Sequence, residues 1–502
     1  MAQVELLAAV QAFLARTHGS FIEGKAVATA RTLPVYNPAT GDVIAMAGDG
    51  DADVVDAAVR SAHTAWRDGR WSGLRPAERE RILLAFAALV QAHAEELAQL
   101  ETINQGKSIN LSRMLDVAAT VEFMRYMAGW ATKLHGESLD LSIPIPPGMR
   151  YTGYTRREPV GVVAGIVPWN FPMMIAAWKV MPALAAGCSV VIKPSPETPL
   201  SALRLAELAL EAGVPPGVFN VVTGGGETGQ ALVSHPLVAK VSFTGSTQTG
   251  RRVGHAALEH MARFTLELGG KNPMLVFADA DIEQAVQGVM LGGLLNQGQV
   301  CAAASRIYVH ASRHDDFVNA LAAAVSTLTL GPGLDPGAQV NPVVSRRQQQ
   351  SIESYIASAR QEGAQLAAGG QPVGGAGFFV QPTVLSGVSQ AMTVAREEIF
   401  GPVLSVLRFD DDEEALRLAN DSQYGLGASL WTRDINRAMS LIPRVEAGTV
   451  WVNTHVLLDP SMPFGGYKQS GMGREFGRHA VEGCTEIKSV CIAHPASGAA
   501  AP

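Results

Sequence analysis

From Val160 onward, short apolar runs recur between longer amphipathic stretches: GVVAGIVPW, CSVVIKP, VFNVVTG, AKVSFTG and RFTLEL. Runs that short and that continuously apolar suit strands buried on both faces. The stretches between most of them, roughly ten or more residues long, read as helices, so the pattern predicts a parallel, helix-flanked sheet. Near Leu268-Gly269-Gly270 a second unit of the same kind is expected, opening with PMLVF and a helix from Asp281 and running to about Gly477. Ahead of these, MAQVELLAAVQAFLARTHG has the spacing of an amphipathic helix, and Phe21 to Ala47 reads as strands broken by the turn NPATGD. Residues 75–109 carry apolar groups at helical spacing, with Gly106 as a stop. Three prolines and alternating residues in 139–158 predict an exposed β-hairpin arm. The segment CTEIKSVCIA alternates again, which suits a last strand paired with that arm, and HPASGAAAP at the end is expected to fray.

Composition narrows the class. A chain of 502 residues, 47% hydrophobic and 17% charged, is too long for one core and too apolar for disorder, so two or three domains are expected. A formal net charge of -7 without a basic run argues against nucleic acid as a partner. Cys188, Cys301, Cys484 and Cys491 show neither metal-ligand nor paired spacing, which predicts no metal and a reducing, cytoplasmic setting. Glu5 and the lack of a basic leader argue against a signal peptide, and no apolar run approaches the ~20 residues that span a bilayer.

Three residues stand out chemically. Cys301, in NQGQVCAAASR, lies in a loop with small neighbours that leave the sulfur approachable; the alternative is a buried small hydrophobe. Glu267, in FTLELGGKNP, ends an apolar strand, where α/β proteins place chemistry; the alternative is a structural carboxylate. If Cys301 forms a thioester, a carboxylate there can take the proton from the hydrolytic water. Asn170, in IVPWNFP, sits in a loop stiffened by Pro168 and Pro172 and could donate to an oxyanion, or simply form a turn. The string TGGGETG matches G-x-G-x-x-G through Gly224, Gly226 and Gly229, but no acidic residue closes the next strand, as an ordinary dinucleotide fingerprint wants. FTGSTQTG offers a second helix N-terminus suited to a diphosphate.

In order and spacing, PWNFP, FTGST, LELGGKNP, NQGQVC, EEIFGPV and PFGGYKQSG resemble the aldehyde dehydrogenase superfamily over essentially the whole chain, and the flanking segments resemble its bacterial phenylacetaldehyde dehydrogenases. The resemblance implies an α/β fold with a Rossmann-type cofactor domain (1–138 and 160–267), an α/β catalytic domain (268–479) and a small β oligomerisation arm (139–159 and 480–494), followed by a frayed tail at 495–502. It implies Cys301 as nucleophile, Glu267 as general base, and Asn170 with the Cys301 backbone N–H as oxyanion hole. Lys179 and Glu475 would relay protons, unless they are two unrelated surface charges. The cofactor, NAD with NADP tolerated, would meet Ile166, Trp169, Lys193, Glu197, Gly226, Gly229, Phe243, Gly245, Ser246, Gln348, Glu398 and Phe400. One departure concerns specificity. Where many NAD-preferring members carry a ribose-gripping glutamate, this chain has Pro196, with Glu197 one place on.

The family's tunnel positions fall on Phe171, Met174, Trp178, Val300, Leu457 or Leu458, and Met462. All are apolar, which favours an uncharged aromatic or medium aliphatic aldehyde; the resemblance puts phenylacetaldehyde first, and ordinary core packing stays open for Met174. Asp459, if it points inward, would favour a cationic amino-aldehyde instead. A non-catalytic protein on this fold would lack Cys301 or Glu267, and an acyl-coenzyme A-forming member would not need Glu267. A homo-oligomer, a tetramer or dimer of dimers, is expected.

Overall fold

Five parallel strands make the centre of an eight-stranded sheet: Val162–Ile166, Ser189–Lys193, Phe219–Val221, Val238–Thr244 and Arg263–Glu267. In the sheet, Val162–Ile166 has Ser189–Lys193 on one side and Val238–Thr244 on the other. The chain therefore reverses its winding direction beside Val162–Ile166, and in open α/β sheets a crevice forms at the carboxyl ends of the two strands flanking such a reversal. The computed structural model describes residues 4–495.

The second sheet has seven strands, with Asn272–Val276, Ala304–His310, Val403–Phe409 and Gly427–Trp431 parallel at its middle. Its first helix, Ile282–Leu294, is capped by Asp281, whose carboxylate accepts from the Gln284 N–H at 3.1 Å. The 75–109 segment forms two helices, Pro76–Ala92 and Ala94–Gln105, separated at His93, and Gly106 ends the second with a φ of 99°. The arm is a three-stranded sheet in which Met149–Pro159 lies between Ser138–Asp140 and Thr485–Pro495. Pro495 is thus the last residue of a strand, not the start of a frayed tail, and the rest of that expected tail lies outside the described residues.

One boundary differs from the sequence expectation of a second unit reaching Gly477. Gly471–Met472 pairs with the edge of the first sheet, against Leu266 and Glu267, and the helix Gly477–Glu482 packs on the helix Pro172–Ala186. A two-residue strand has no periodicity to read. Pro172–Ala186 is buried at every position, so its polar residue Lys179 must find a partner inside the protein. No helix among the described residues is long and apolar enough to cross a membrane.

Candidate active site

A cavity of about 230 Å³ opens where the fold predicts a crevice. Pro168, Trp169 and Asn170 reach it from the loop after Ile166, Thr244, Gly245 and Ser246 from the end of the neighbouring strand, and Leu268 and Gly269 from the loop after Glu267. The second unit closes it with Cys301, Gln348, Glu398 and Phe400. Loops that follow strands of one sheet thus face loops that precede strands of the other.

Each wall has a local cause. Ser246 caps the helix Thr247–Glu259, accepting from the Thr249 N–H, and with Gly245 it lines the cavity, so the positive end of that helix lies beside it. A Cβ on Gly245 would lie 2.6 Å from the Phe243 ring, and one on Gly269 would lie 2.0 Å from a Glu398 carboxylate oxygen, so a side chain at either position would displace one that lines or borders the cavity. Gln348 donates to the Phe400 carbonyl at 2.9 Å, and the Phe400 ring meets Trp169 edge-on at 5.2 Å. Glu398 accepts from the Gly270 N–H at 3.0 Å, and burial pushes its carboxyl up to about 7.

Asn170 is buried beside Cys301. Its amide donates one N–H to the Gln299 carbonyl at 3.0 Å and keeps a second N–H free. The Cys301 thiol is pushed up to about 12 by burial and by the carboxylates of Glu398 and Glu267. Glu267 is not in the cavity wall: its carboxylate lies against Gly465, both of its oxygens lack a hydrogen-bond partner, and burial and Glu475 hold it well above the ordinary carboxylate range. Lys179 and Glu475 are not separate surface charges. They form a buried pair at 2.7 Å, with Lys179 also donating to Thr244 at 2.7 Å.

A second group lies farther along the same sheet. The Lys193 stem runs past Gly229, in a helix whose first residue is Gly226, and burial lowers its ammonium to about 8. Glu197 accepts from the Ser195 hydroxyl and meets Arg347 at 3.4 Å, close enough to Lys193 to act on its charge. Ile166 ends its strand, half-buried.

Of the apolar positions named from sequence, Phe171, Met174, Trp178 and Val300 are buried in the core that Cys301 and Leu458 pack against. Leu457 and Met462 lie at the surface instead, 57% and 47% exposed, because their loop turns outward around Asp459. Asp459 is exposed and accepts from the Ser461 N–H at 2.8 Å. Sequence reasoning missed the aromatic residues around Trp178: Phe476 at 4.7 Å, Phe464 at 6.5 Å and Phe123 at 6.3 Å. It also missed Lys107, buried beneath Asn170. Lys107 donates to the Asn170 carbonyl at 2.8 Å and to Asp116 at 2.9 Å, and sits 4.2 Å from the Phe171 ring. The lysine of NQGKSI, between a glycine and a serine, gives no signal of burial.

The aldehyde dehydrogenase family model matches residues 26–490. The phenylacetaldehyde dehydrogenase of Pseudomonas fluorescens is 50% identical over 467 residues, 92% of this chain and 93% of that protein. A betaine aldehyde dehydrogenase of Mesorhizobium japonicum is 45% identical over 465 residues, again 92% and 93% of the two chains. Among solved structures, the NAD+ complex of an aldehyde dehydrogenase from Bacillus cereus superposes with a TM-score of 0.94 at 44% identity, covering 98% of this chain and 99% of that one.

Proposed function

The chain belongs to the aldehyde dehydrogenase family, and on that premise we propose that it oxidises phenylacetaldehyde, or a similar uncharged aldehyde, to the carboxylic acid with NAD. The observation that carries the reading is one cavity holding Cys301, Asn170 and a helix N-terminus together. With its proton passed to solvent, the Cys301 thiolate bonds its sulfur to the carbonyl carbon as the carbon–oxygen π bond opens, and the resulting alkoxide takes the free N–H of Asn170 and the Cys301 backbone N–H. Gly245 and Ser246 would hold the dinucleotide's diphosphate, Glu398 and Phe400 its nicotinamide end, and Lys193 with Glu197 its adenosine ribose. Trp169, Gln348, Ile166, Phe243, Gly226 and Gly229 shape the walls around it. The fit rests on the close approach that Gly245 and Gly269 allow at the cavity and on the N-terminus of Thr247–Glu259 beside it. When bound, the cofactor supplies a hydride acceptor.

The acyl group is then left on Cys301 as a thioester. Glu267, with no partner on either oxygen, turns from Gly465 to take a proton from the water that cleaves the carbon–sulfur bond. The Glu475–Lys179 pair beside it leads that proton away. The division of the chain into a cofactor unit, a catalytic unit and an arm belongs to the same reading. The exposed Ile145, Ile487 and Ile492 on the arm support a homo-oligomer, and four unbonded cysteines suit a reducing cytoplasm.

Asp459 gives little support to an amino-aldehyde, since it is exposed and engaged by Ser461. A screen of aldehydes against NAD and NADP tests the proposal. Phenylacetaldehyde should exceed succinic semialdehyde in kcat/KM by at least ~100-fold, because the buried Phe171, Met174, Trp178 and Val300 offer a carboxylate no partner. Equal values would refute the pocket assignment.

A further inference from the structure

Three consecutive carbonyls at the nucleophile each accept a hydrogen bond from a side chain. Asn272 Nδ2 donates to the carbonyls of Cys301 and Ala303, both at 2.9 Å, and His455 Nε2 donates to that of Ala302 at 2.8 Å. Because a carbonyl only accepts, Nε2 must carry the proton, so Nδ1 of His455 accepts from the Ser429 hydroxyl at 2.8 Å. The Ser429 oxygen in turn accepts from Trp431 Nε1 at 3.2 Å, which ties the ring to the strand Gly427–Trp431. Asn272 is fixed from its other end, where Oδ1 accepts from the Gly427 N–H at 2.9 Å. Both side chains are buried, and neither belongs to the substrate or cofactor groups described above.

The backbone arriving at this point is strained. Asn296 and Gln297 have φ values of 48° and 55°, uncommon for residues with side chains. In a trans peptide the carbonyl and the following N–H point in opposite directions. Pulling the Cys301 carbonyl toward Asn272 therefore turns the Ala302 N–H the other way, and that N–H, with the N–H of Cys301 itself, favours the thiolate. Burial opposes it most, and the carboxylates of Glu398 and Glu267 add to that.

We propose that Asn272 and His455 are positioning residues that clamp the 301–303 backbone so that these amides stay aimed at the Cys301 sulfur and ready it for attack. The proposal rests on Cys301 being the nucleophile. It is tested in a Cys491→Ser background, which removes the exposed thiol while Cys188 and Cys484 stay buried. The variants are Asn272→Leu and His455→Phe, which lose the donors without adding charge, and His455→Gln, which keeps one N–H at similar reach. Iodoacetamide alkylation of Cys301 at about pH 8.5 should slow about tenfold or more in the first two, with the NAD dissociation constant within about twofold of the parent. His455→Gln should recover most of the rate. Alkylation within about twofold of the parent in Asn272→Leu or His455→Phe would overturn the clamp, as would a loss that tracks weakened NAD binding and is not relieved by Gln. Activity surviving in Cys301→Ser would instead overturn the nucleophile assignment itself.

Discussion

With its thiol pushed up to about 12, Cys301 is almost entirely protonated at neutral pH, so its reactivity depends on what the site adds on binding and on the amides around it. Replacing it separates chemistry from binding: Cys301→Ala should abolish aldehyde oxidation and leave NAD affinity nearly unchanged, as read by fluorescence titration. Turnover above about 1% of the parent would remove Cys301 from the mechanism. Glu267 acts later. Glu267→Gln should retain a pre-steady-state burst of reduced cofactor and then turn over slowly, because only thioester hydrolysis needs the base. A burst that falls with the steady state would mean an earlier role. At the cofactor's other end, Pro196→Glu should sharpen discrimination against NADP by roughly tenfold to a hundredfold in relative kcat/KM, since a carboxylate repels a 2′-phosphate. An unchanged ratio would show that Glu197 already fills that place. Cys301 and Asn170, which one cavity holds, and Glu267, outside its wall, were visible in the sequence as candidates because each stands in a distinctive segment at a strand or loop end. Asn272 and His455 were not, since a side chain whose task is to hold someone else's backbone looks like any polar loop residue.

At the scale of elements, the loop Pro168–Pro172 and the buried helix after it rest on a buried charge cluster. Lys107 binds Asp116 and the Asn170 carbonyl, lies 3.7 Å from Glu101, and Glu101 accepts from the Met173 N–H at the helix start. Burial and Glu101 push the Asp116 carboxyl up to about 8 even with Lys107 beside it. Above about pH 8, where Asp116 is ionised, Lys107→Met would leave two buried carboxylates without their cation, and removing one partner of such a pair costs about 3–5 kcal/mol. Thermal and urea unfolding should show that loss, and a change under about 1 kcal/mol would mean the cluster is already neutral. Asp116 sits in a π-helical stretch, Ser112–Ala119, whose wider turn no hydrophobic spacing announces. The sheet strands, by contrast, were readable because buried parallel strands leave continuous apolar runs. The break at His93 was not, because apolar spacing continues on both sides of it.

Across the whole molecule, two histidines far apart in sequence are held neutral by the fold, one in each half of the chain. Burial lowers both His18, tilted against Phe13 with ring centres 4.5 Å apart, and His455 from 6.5 to about 4. Below the unfolded value of 6.5 the unfolded chain gains protons on these rings while the native state does not. The stability they contribute is therefore complete above that pH and is lost as pH falls toward the folded value of about 4. For His455, fully enclosed and committed to the Ala302 carbonyl, the loss by about pH 4.5 is of order 2–3 kcal/mol. Urea unfolding at neutral pH and at about pH 4.5 should show it, and His455→Gln, which keeps a donor but cannot titrate, should flatten part of the slope. Because His455 also grips the backbone beside Cys301, acid should take activity and stability together in the parent and separate them in the Gln variant. An acid slope unchanged by His455→Gln would mean that this ring is already protonated in the native protein, or is not what the fold loses first.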